Sequence, residues 1–209
     1  MYLPDEFIVT DPNELHAFIE QNSFGLLVSQ VEGLPFATHL PFLLDRTSGR
    51  HGVLIGHMAR ANPQWREARG QTVLAIFAGP HAYISPTWYE AEHVVPTWNY
   101  TAVHVYGSFE IVEDEESLLD IVGKSVRFYE KPLSPPWTFD GSTTFARRLL
   151  AQIVGFRIAI ERIEGKWKLN QNHPIERRLK VIRSLRSRGD ENALVLADLM
   201  EATLREEED

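Results

Sequence analysis

The chain has 209 residues, 44% hydrophobic and 24% charged, which is typical of a globular protein with one sizeable core. It contains no cysteine, which excludes disulfides, thiol nucleophiles and thiolate metal sites. Its formal net charge of −8 disfavours non-specific attraction to nucleic acid or anionic membranes. The sequence shows neither a secretory signal pattern nor an apolar run of the roughly 20 residues that span a bilayer. We therefore expect a cytoplasmic protein without a membrane segment.

The first third of the sequence predicts one helix followed by strands. Residues 11–22 open with Asp-Pro and place Leu15, Phe18 and Ile19 on one helical face. Apolar runs predict strands at 24–31, 34–44 and 53–58. The middle strand is apolar almost without interruption, which predicts cover on both of its faces, and Pro41 marks a bulge or an edge.

The middle of the sequence predicts more strands with few helices between them. Strands are expected at 71–77, from 81 until Pro86, at 101–112 and at 153–162, with a turn at Gly165 into 167–169. Helical spacing predicts helices at 115–129 and 145–151, separated by an ordered loop over 131–142. The seven or eight strands are joined by connections too short for βαβ crossovers. We therefore predict a mainly β, α+β fold whose antiparallel strands close into a barrel.

The last segment predicts a pair of helices. Residues 174–188 form a helix with an apolar stripe at Ile175, Leu179, Ile182 and Leu185. Gly189 ends it and Asp190 caps a second helix, whose apolar positions are Ala193, Leu196, Ala197, Met200 and Leu204. This change in pattern predicts a barrel domain over 1–173 and a helical appendage over 174–209, packed on the barrel or on a second subunit.

The charges of this helical pair argue against direct DNA binding. A recognition helix would be the second one, but it carries Glu191, Asp198, Glu201 and Glu206–Glu208, which phosphates repel. The first helix is basic, and we expect a solvated face made of Arg177, Arg178, Lys180, Arg183, Arg186 and Arg188.

One strand-to-helix junction, residues 56–65, is suited to an anion. Asn62 is a good N-cap and Pro63 suits the first helical position, so unpaired N–H groups and partial positive charge lie at this point. Arg60 could add a fork of donors matched to phosphate. The alternative is an ordinary capped helix with a solvated arginine.

Motifs elsewhere in the sequence, present or missing, limit the kinds of ligand and reaction that the chain could support. The eight histidines show no tight metal-ligand spacing, and nucleophile-elbow, Walker and Gly-x-Gly-x-x-Gly patterns are missing from the sequence. Thr38 and His39 interrupt an apolar strand, so they need partners in the core or in a ligand. Aromatic segments at 88–89 and 98–100, together with an anion site, suit a flat phosphorylated heterocycle.

Four segments of the chain resemble the PaiB family, over about residues 1–173. They are Thr38-His39-Leu40-Pro41, Gly56-His57-Met58-Ala59-Arg60-Ala61-Asn62-Pro63-Gln64-Trp65, the run from Gly79 to Tyr89, and Val95-Pro96-Thr97-Trp98-Asn99-Tyr100. Members are described as FMN-binding negative transcriptional regulators. The resemblance implies a Greek-key, FMN-binding split β-barrel similar to pyridoxamine-phosphate oxidases and flavin reductases. It also implies a homodimer with FMN near the subunit interface, and repression of protease-production and sporulation genes.

The resemblance also implies roles for particular residues. Arg60, Asn62 and Pro63 would hold the FMN phosphate, and His57 would stand beside them. The isoalloxazine or ribityl part would be lined by Thr38, His39, Leu40 and Pro41. Three further residues would close the pocket, with the second subunit as one source of them: Trp98, Asn99 and Tyr100.

Three functions are compatible with these observations. The first is a flavin-binding regulatory module, because no acid–base or nucleophile constellation is evident. The second is an FMN-dependent oxidoreductase, in which the cofactor does the chemistry and the protein orients it. The third is a haem protein using His39, His57 or His81, although Arg60 beside a capped helix suits phosphate better.

Overall fold

The computed structural model describes residues 1–205, within which it has eight strands and six α-helices. The strands are β1 (Ile8–Val9), β2 (Phe24–Val31), β3 (Leu34–Pro41), β4 (Leu43–Asp45), β5 (Val53–Ala59), β6 (Thr72–Ile84), β7 (Thr97–Val112) and β8 (Ile153–Lys168). The helices are α1 (Pro12–Gln21), α2 (Gln64–Ala68), α3 (Glu115–Glu130), α4 (Thr144–Leu150), α5 (Ile175–Arg188) and α6 (Glu191–Arg205). The predicted acidic positions Glu206–Glu208 lie outside the described residues.

The strands form one sheet in the order β3-β2-β6-β7-β8-β5-β4, and β1 pairs with β8. The pairs β2–β3, β2–β6, β4–β5, β5–β8 and β1–β8 are antiparallel. The register places Leu27 opposite Thr38, and Gly56 opposite Phe156. The predicted antiparallel α+β class is therefore confirmed.

The prediction of one long strand over 34–44, covered on both faces, is wrong. The chain breaks it at Phe42, whose side chain is buried and whose N–H donates to the carbonyl of Ser23 at 2.8 Å. The first part, β3, ends the strand order, so it is an edge strand. Leu34 is accordingly 68% exposed. Apolar composition suggested a buried strand, but the position of β3 in the sheet leaves much of it open to solvent.

Three other strands are longer than predicted. β7 begins at Thr97 rather than at residue 101. The strands predicted at 71–77 and from 81 to Pro86 are one strand, since β6 runs through Gly79-Pro80 to Ile84. Gly165 does not turn the chain either, because it pairs with Val9 of β1. The sequence showed no sign of the two-residue strand β1, which supplies the partner that keeps this part of β8 extended.

The chain divides into two compact units. The first contains residues 1–11, 78–103 and 164–209, and the second contains residues 12–77 and 104–163. These are not the predicted domains 1–173 and 174–209, and that division stays a prediction. In the second unit, helix α3 packs on β5, and Ile121 of α3 forms a buried cluster with Ile55 of β5 and Val112 of β7. A cluster of buried rings adds to this core: Phe42, Phe77, Phe109 and Phe156.

In the first unit, α5 and α6 pack against each other as predicted. Gly189 takes the left-handed conformation (φ 75°) that ends α5, and the Asp190 carboxylate caps α6 by accepting from the N–H of Ala193 at 3.1 Å. All five predicted apolar positions of α6 are buried. None of the helices in residues 1–205 is long and apolar enough to cross a membrane.

The predicted faces of α5 are partly wrong. Ile175 and Leu179 are 47% and 44% exposed, whereas Arg178 is buried and its guanidinium donates to Thr203 Oγ1 at 2.6 Å. Arg178 is therefore not part of a solvated basic face. The buried stripe of α5 consists instead of Arg178, Val181, Ile182 and Leu185.

Gly107 on β7 permits a close approach of β8, and this generates a prediction. A Cβ at this position would overlap the carbonyl oxygen of Ala159 and lie 2.8 Å from Ile158 Cγ2. We expect Gly107→Ala to lower the free energy of unfolding by about 2–3 kcal/mol, because backbone must move to relieve the overlap. Urea unfolding measures the change.

The matched control is Gly123→Ala on α3. A Cβ there meets only the flexible end of Arg127, at 3.3 Å. Since alanine is the better helix former, this variant should be up to about 1 kcal/mol more stable. Equal effects of the two substitutions would contradict the close-approach explanation.

Candidate functional site

The junction between β5 and α2 is organised by Asn62. Its Oδ1 accepts from the N–H of Gln64, the first residue of α2, at 2.9 Å, although the position before the helix is Pro63 rather than the predicted Asn62. Its Nδ2 donates to Thr38 Oγ1 at 3.0 Å. The structure thus brings together two of the predicted site residues, and one amide side chain joins β3 to the start of α2.

Gln64 adds further hydrogen bonds between this junction and strands β2 and β3. Its side chain is fully buried, and Nε2 lies within hydrogen-bond distance of the Leu27 carbonyl (3.0 Å), Ser29 Oγ (3.1 Å) and the Phe36 carbonyl (3.2 Å). Sequence analysis missed this residue, because a glutamine at the start of a helix usually faces solvent. A buried amide with several partners fixes the position of α2 on β2 and β3.

Arg60 is engaged within the chain. Its Nε donates to the carbonyl of Ala151 at 3.1 Å, Nη2 to the carbonyl of Ile153 at 3.1 Å, and Nη1 to the Glu113 carboxylate at 2.9 Å. A guanidinium has five N–H groups, so one on each terminal nitrogen has no partner among residues 1–205. The side chain is 35% exposed. The guanidinium carbon also lies 5.9 Å from the centroid of the Trp65 ring. Arg60 is therefore an anchor of the α4–β8 connection that keeps two N–H groups without a hydrogen-bond partner in residues 1–205.

The other predicted residues of β3 alternate between its faces. Leu40 is buried and Thr38 and Pro41 are half-buried, whereas His39 is exposed and stacks on Phe24 with ring centroids 6.1 Å apart. Neighbouring residues of a strand point to opposite faces. Thr38 and His39 consequently do not face one site together.

The predicted aromatic segment 98–100 belongs to the other compact unit. Trp98 is 54% exposed and lies beside His81 and Tyr83, at centroid distances of 6.2 and 6.0 Å. Asn99 is buried with Nδ2 at 3.5 Å from Met200 Sδ, and the Tyr100 ring lies 5.5 Å from Lys166 Nζ. The predicted site residues are thus divided between the two units.

An apolar cavity of about 400 Å³ lies in the second unit, and sequence analysis missed it. His57 of β5 lines it together with α3, α4 and the loop between them. Its apolar lining consists of Val122, Trp137, Phe139, Phe145, Ala146, Leu149, Leu150 and Ile153. The available signal was the number of aromatic residues between 137 and 145, in a segment assigned only to a loop and a short helix.

His57 is the unusual polar group of this cavity. Its Nδ1 is closed off from solvent, and its ring makes no hydrogen bond with residues 1–205. Burial lowers the pKa of the His57 imidazole below its ordinary value of 6.5, because the charged form loses its hydration. The ring is therefore neutral at neutral pH.

Comparisons with solved structures identify the class of fold. The FAD and haem binding protein from Mycobacterium smegmatis matches with a TM-score of 0.58 and 14% identity, covering 77% of this chain and 73% of that one. The flavocytochrome Anf3 from Azotobacter vinelandii matches with a TM-score of 0.58 and 12% identity, covering 79% and 72%. The chain has the antiparallel split-barrel fold of such flavoproteins.

Comparisons with sequences identify the family. The family model described as "Putative FMN-binding domain" matches residues 1–162. The protease synthase and sporulation protein PAI 2 of Bacillus subtilis is 40% identical over 209 residues, covering 99% of this chain and all of that protein. The chain therefore belongs to the PaiB family of this FMN-binding-domain class, which confirms the resemblance found in its sequence.

The half-buried His57 predicts a pH-dependent stability. Its folded-state pKa lies below 6.5, so as pH falls through that value the unfolded state takes up the proton more readily. Stability should thus fall between about pH 7.5 and about pH 5.5. His57→Leu should reduce this fall, as measured by urea unfolding at both pH values.

Some pH dependence of stability should persist in His57→Leu, because burial also lowers the pKa of His173, with Arg177 and Lys168 adding to the effect. An unchanged dependence in His57→Leu would contradict the assignment.

Proposed function

We propose that the protein binds FMN and acts as a flavin-dependent regulatory module. The observation that carries this proposal is the family match over residues 1–162, which includes the whole β5–α2 junction. The relative from Bacillus subtilis is named for protease synthesis and sporulation, and this supports a regulatory role of the same kind.

The phosphate of FMN binds at Arg60 and the start of α2 in this proposal. Arg60 offers its two remaining N–H groups, and Asn62 keeps Thr38 and the first turn of α2 in place. The Glu113 carboxylate occupies one terminal nitrogen of Arg60 and would compete with a phosphate. That carboxylate is 51% exposed, and such ion pairs are weak, contributing about 0–1 kcal/mol. A phosphate can therefore replace it at small cost.

The flavin ring and ribityl chain are assigned to β3, at Thr38 and Leu40 on one face of the strand and at His39 and Pro41 on the other. Trp98, Asn99 and Tyr100 would close the pocket from a second copy in a homodimer. The exposed Trp98, beside His81 and Tyr83, supports this role, because exposed aromatic rings are common at binding surfaces. His57 stays a predicted neighbour of the phosphate, and its ring also lines the apolar cavity.

Titration with FMN and riboflavin tests the phosphate position. Arg60→Ala should weaken FMN binding by roughly tenfold or more, the worth of a charged hydrogen bond. Riboflavin lacks the phosphate, so its affinity should not change. Glu113→Gln should tighten FMN binding, because it removes a competing charge. Flavin fluorescence quenching measures both affinities.

The exposed Arg50→Ala is the control for loss of positive charge and should leave both affinities unchanged. A parallel loss of FMN and riboflavin affinity in Arg60→Ala would indicate a purely structural role for Arg60. FMN affinity that is unaffected by Arg60→Ala would remove the phosphate assignment.

The ion pairs of α5 favour regulation without direct contact between this helix and DNA. Arg186 pairs with Asp198 and Glu201, at 3.2 and 2.9 Å. Lys180 pairs with Glu90 and Glu176, and Arg178 is buried. Acidic partners from the same unit thus neutralise much of the basic helix.

The protein should bind promoter DNA no more tightly than DNA of random sequence. Fluorescence anisotropy measures both affinities at about 0.15 M salt, where the Debye length is about 8 Å. The double variant Asp198→Asn, Glu201→Gln frees Arg186 and should raise the affinity for both duplexes equally. Tight, sequence-selective binding by the unaltered protein would contradict this part of the proposal.

The oxidoreductase and haem alternatives, and the cytoplasmic location, stay predictions. Adding haemin and either nicotinamide to the flavin titration distinguishes the alternatives. Steady turnover of NADH or NADPH with FMN would assign an enzyme, and haemin binding tighter than FMN would assign a haem protein.

A further inference from the structure

The cavity around His57 is a candidate second binding site. Its volume of about 400 Å³ lies within the range of small-molecule pockets, about 300–1,000 Å³. Trp137 and Phe145 are 60% and 61% exposed, although both line this cavity. Large aromatic side chains left this open contribute little to the core, and a bound molecule would cover them.

The lining determines the kind of molecule. Trp137, Phe139 and Phe145 supply aromatic surface, whereas Leu149, Leu150 and Ile153 supply aliphatic surface. An apolar wall penalises a charged occupant, because the charge would lose hydration without gaining a partner. Asp140 adds to this penalty for anions. Hydrogen bonds from the Ser142 hydroxyl and N–H lower the pKa of Asp140, so this lining carboxylate is ionised at neutral pH.

His57 supplies one polar contact. Neither of its ring nitrogens has a partner among residues 1–205, and Nδ1 is closed off from solvent, which leaves Nε2 for an occupant of the cavity. A neutral imidazole nitrogen is either a donor or an acceptor, depending on the tautomer. A hydroxyl group can both donate and accept, so it satisfies Nε2 in either tautomer.

We propose that this cavity binds a neutral, flat aromatic molecule of two or three fused rings that carries a single hydroxyl group. Of the residues assigned to FMN above, only His57 lines this cavity, so the site is separate from the surface formed by β3, Arg60 and the start of α2. A small aromatic alcohol would thus be a second ligand of the protein.

A pair of isosteric probes tests the polar contact. 2-Naphthol carries the hydroxyl, and 2-methylnaphthalene replaces it with a methyl group of similar size. The unaltered protein should bind 2-naphthol roughly tenfold more tightly than 2-methylnaphthalene, the worth of one buried hydrogen bond. Fluorescence titration of the probes measures both affinities. Equal affinities would overturn the proposal, as would binding of 2-naphthoate as tight as that of 2-naphthol.

Two variants locate the site. His57→Leu should bind 2-methylnaphthalene at least as well as the unaltered protein, and should lose the preference for 2-naphthol. The methyl probe thereby reports that the cavity is still formed. His51→Leu, in a turn outside the cavity, is the matched control and should keep the tenfold preference. A preference that survives in His57→Leu would overturn the role of His57.

Saturation with FMN separates the two sites. The affinity for 2-naphthol should be the same in the absence and presence of saturating FMN. Mutual displacement would overturn the proposal, because the cavity would then belong to the flavin site.

Discussion

The contacts of Arg60 join distant parts of the chain and determine which of its N–H groups an anion at the candidate site could use. Its guanidinium holds two main-chain carbonyls, of Ala151 and Ile153, and the Glu113 carboxylate. The carbonyls lie where α4 passes into β8, so Arg60 ties this connection to the end of β5. The planar donor set of arginine allows one side chain to make these three contacts and still keep two N–H groups without a hydrogen-bond partner in residues 1–205. The fold and the proposed phosphate binding thus depend on the same charged group.

Strand β5 and the junction that follows it have different neighbours. In the junction, Asn62 and Gln64 bind to β2 and β3 through hydrogen bonds that leave little freedom. Within the strand, His57 lines an apolar cavity together with α3, α4 and the loop between them. Hydrogen-bonded and apolar surroundings favour different molecules, and so a single strand can border two unlike sites.

Features that depend on neighbouring residues were predictable from the sequence, and features that depend on distant partners were not. The Asp190 cap and the buried face of α6 follow from residues close together in the sequence, and both were predicted. The hydrogen bond that Asn62 accepts at the start of α2 is equally local, and only the first residue of the helix differs from the prediction. The burial of Arg178 requires knowing that Thr203 lies beside it, 25 residues away. The partners of Arg60 lie 53 to 93 residues away. Edge exposure of β3 likewise depends on strand order, which hydropathy does not report.

The edge position of β3 has a consequence for association between molecules. Gln30 directs both its N–H and its carbonyl to the Gln71 side chain, so its β3 partner, Pro35, turns its nitrogen away from β2. Backbone N–H and C=O groups alternate in direction along a strand, so those of residues 35, 37, 39 and 41 all point away from β2. Pro35 and Pro41 have no N–H, so two of these four positions on the open edge of β3 cannot donate a hydrogen bond. An added strand could not complete a ladder along this edge, which protects the molecule from edge-to-edge aggregation.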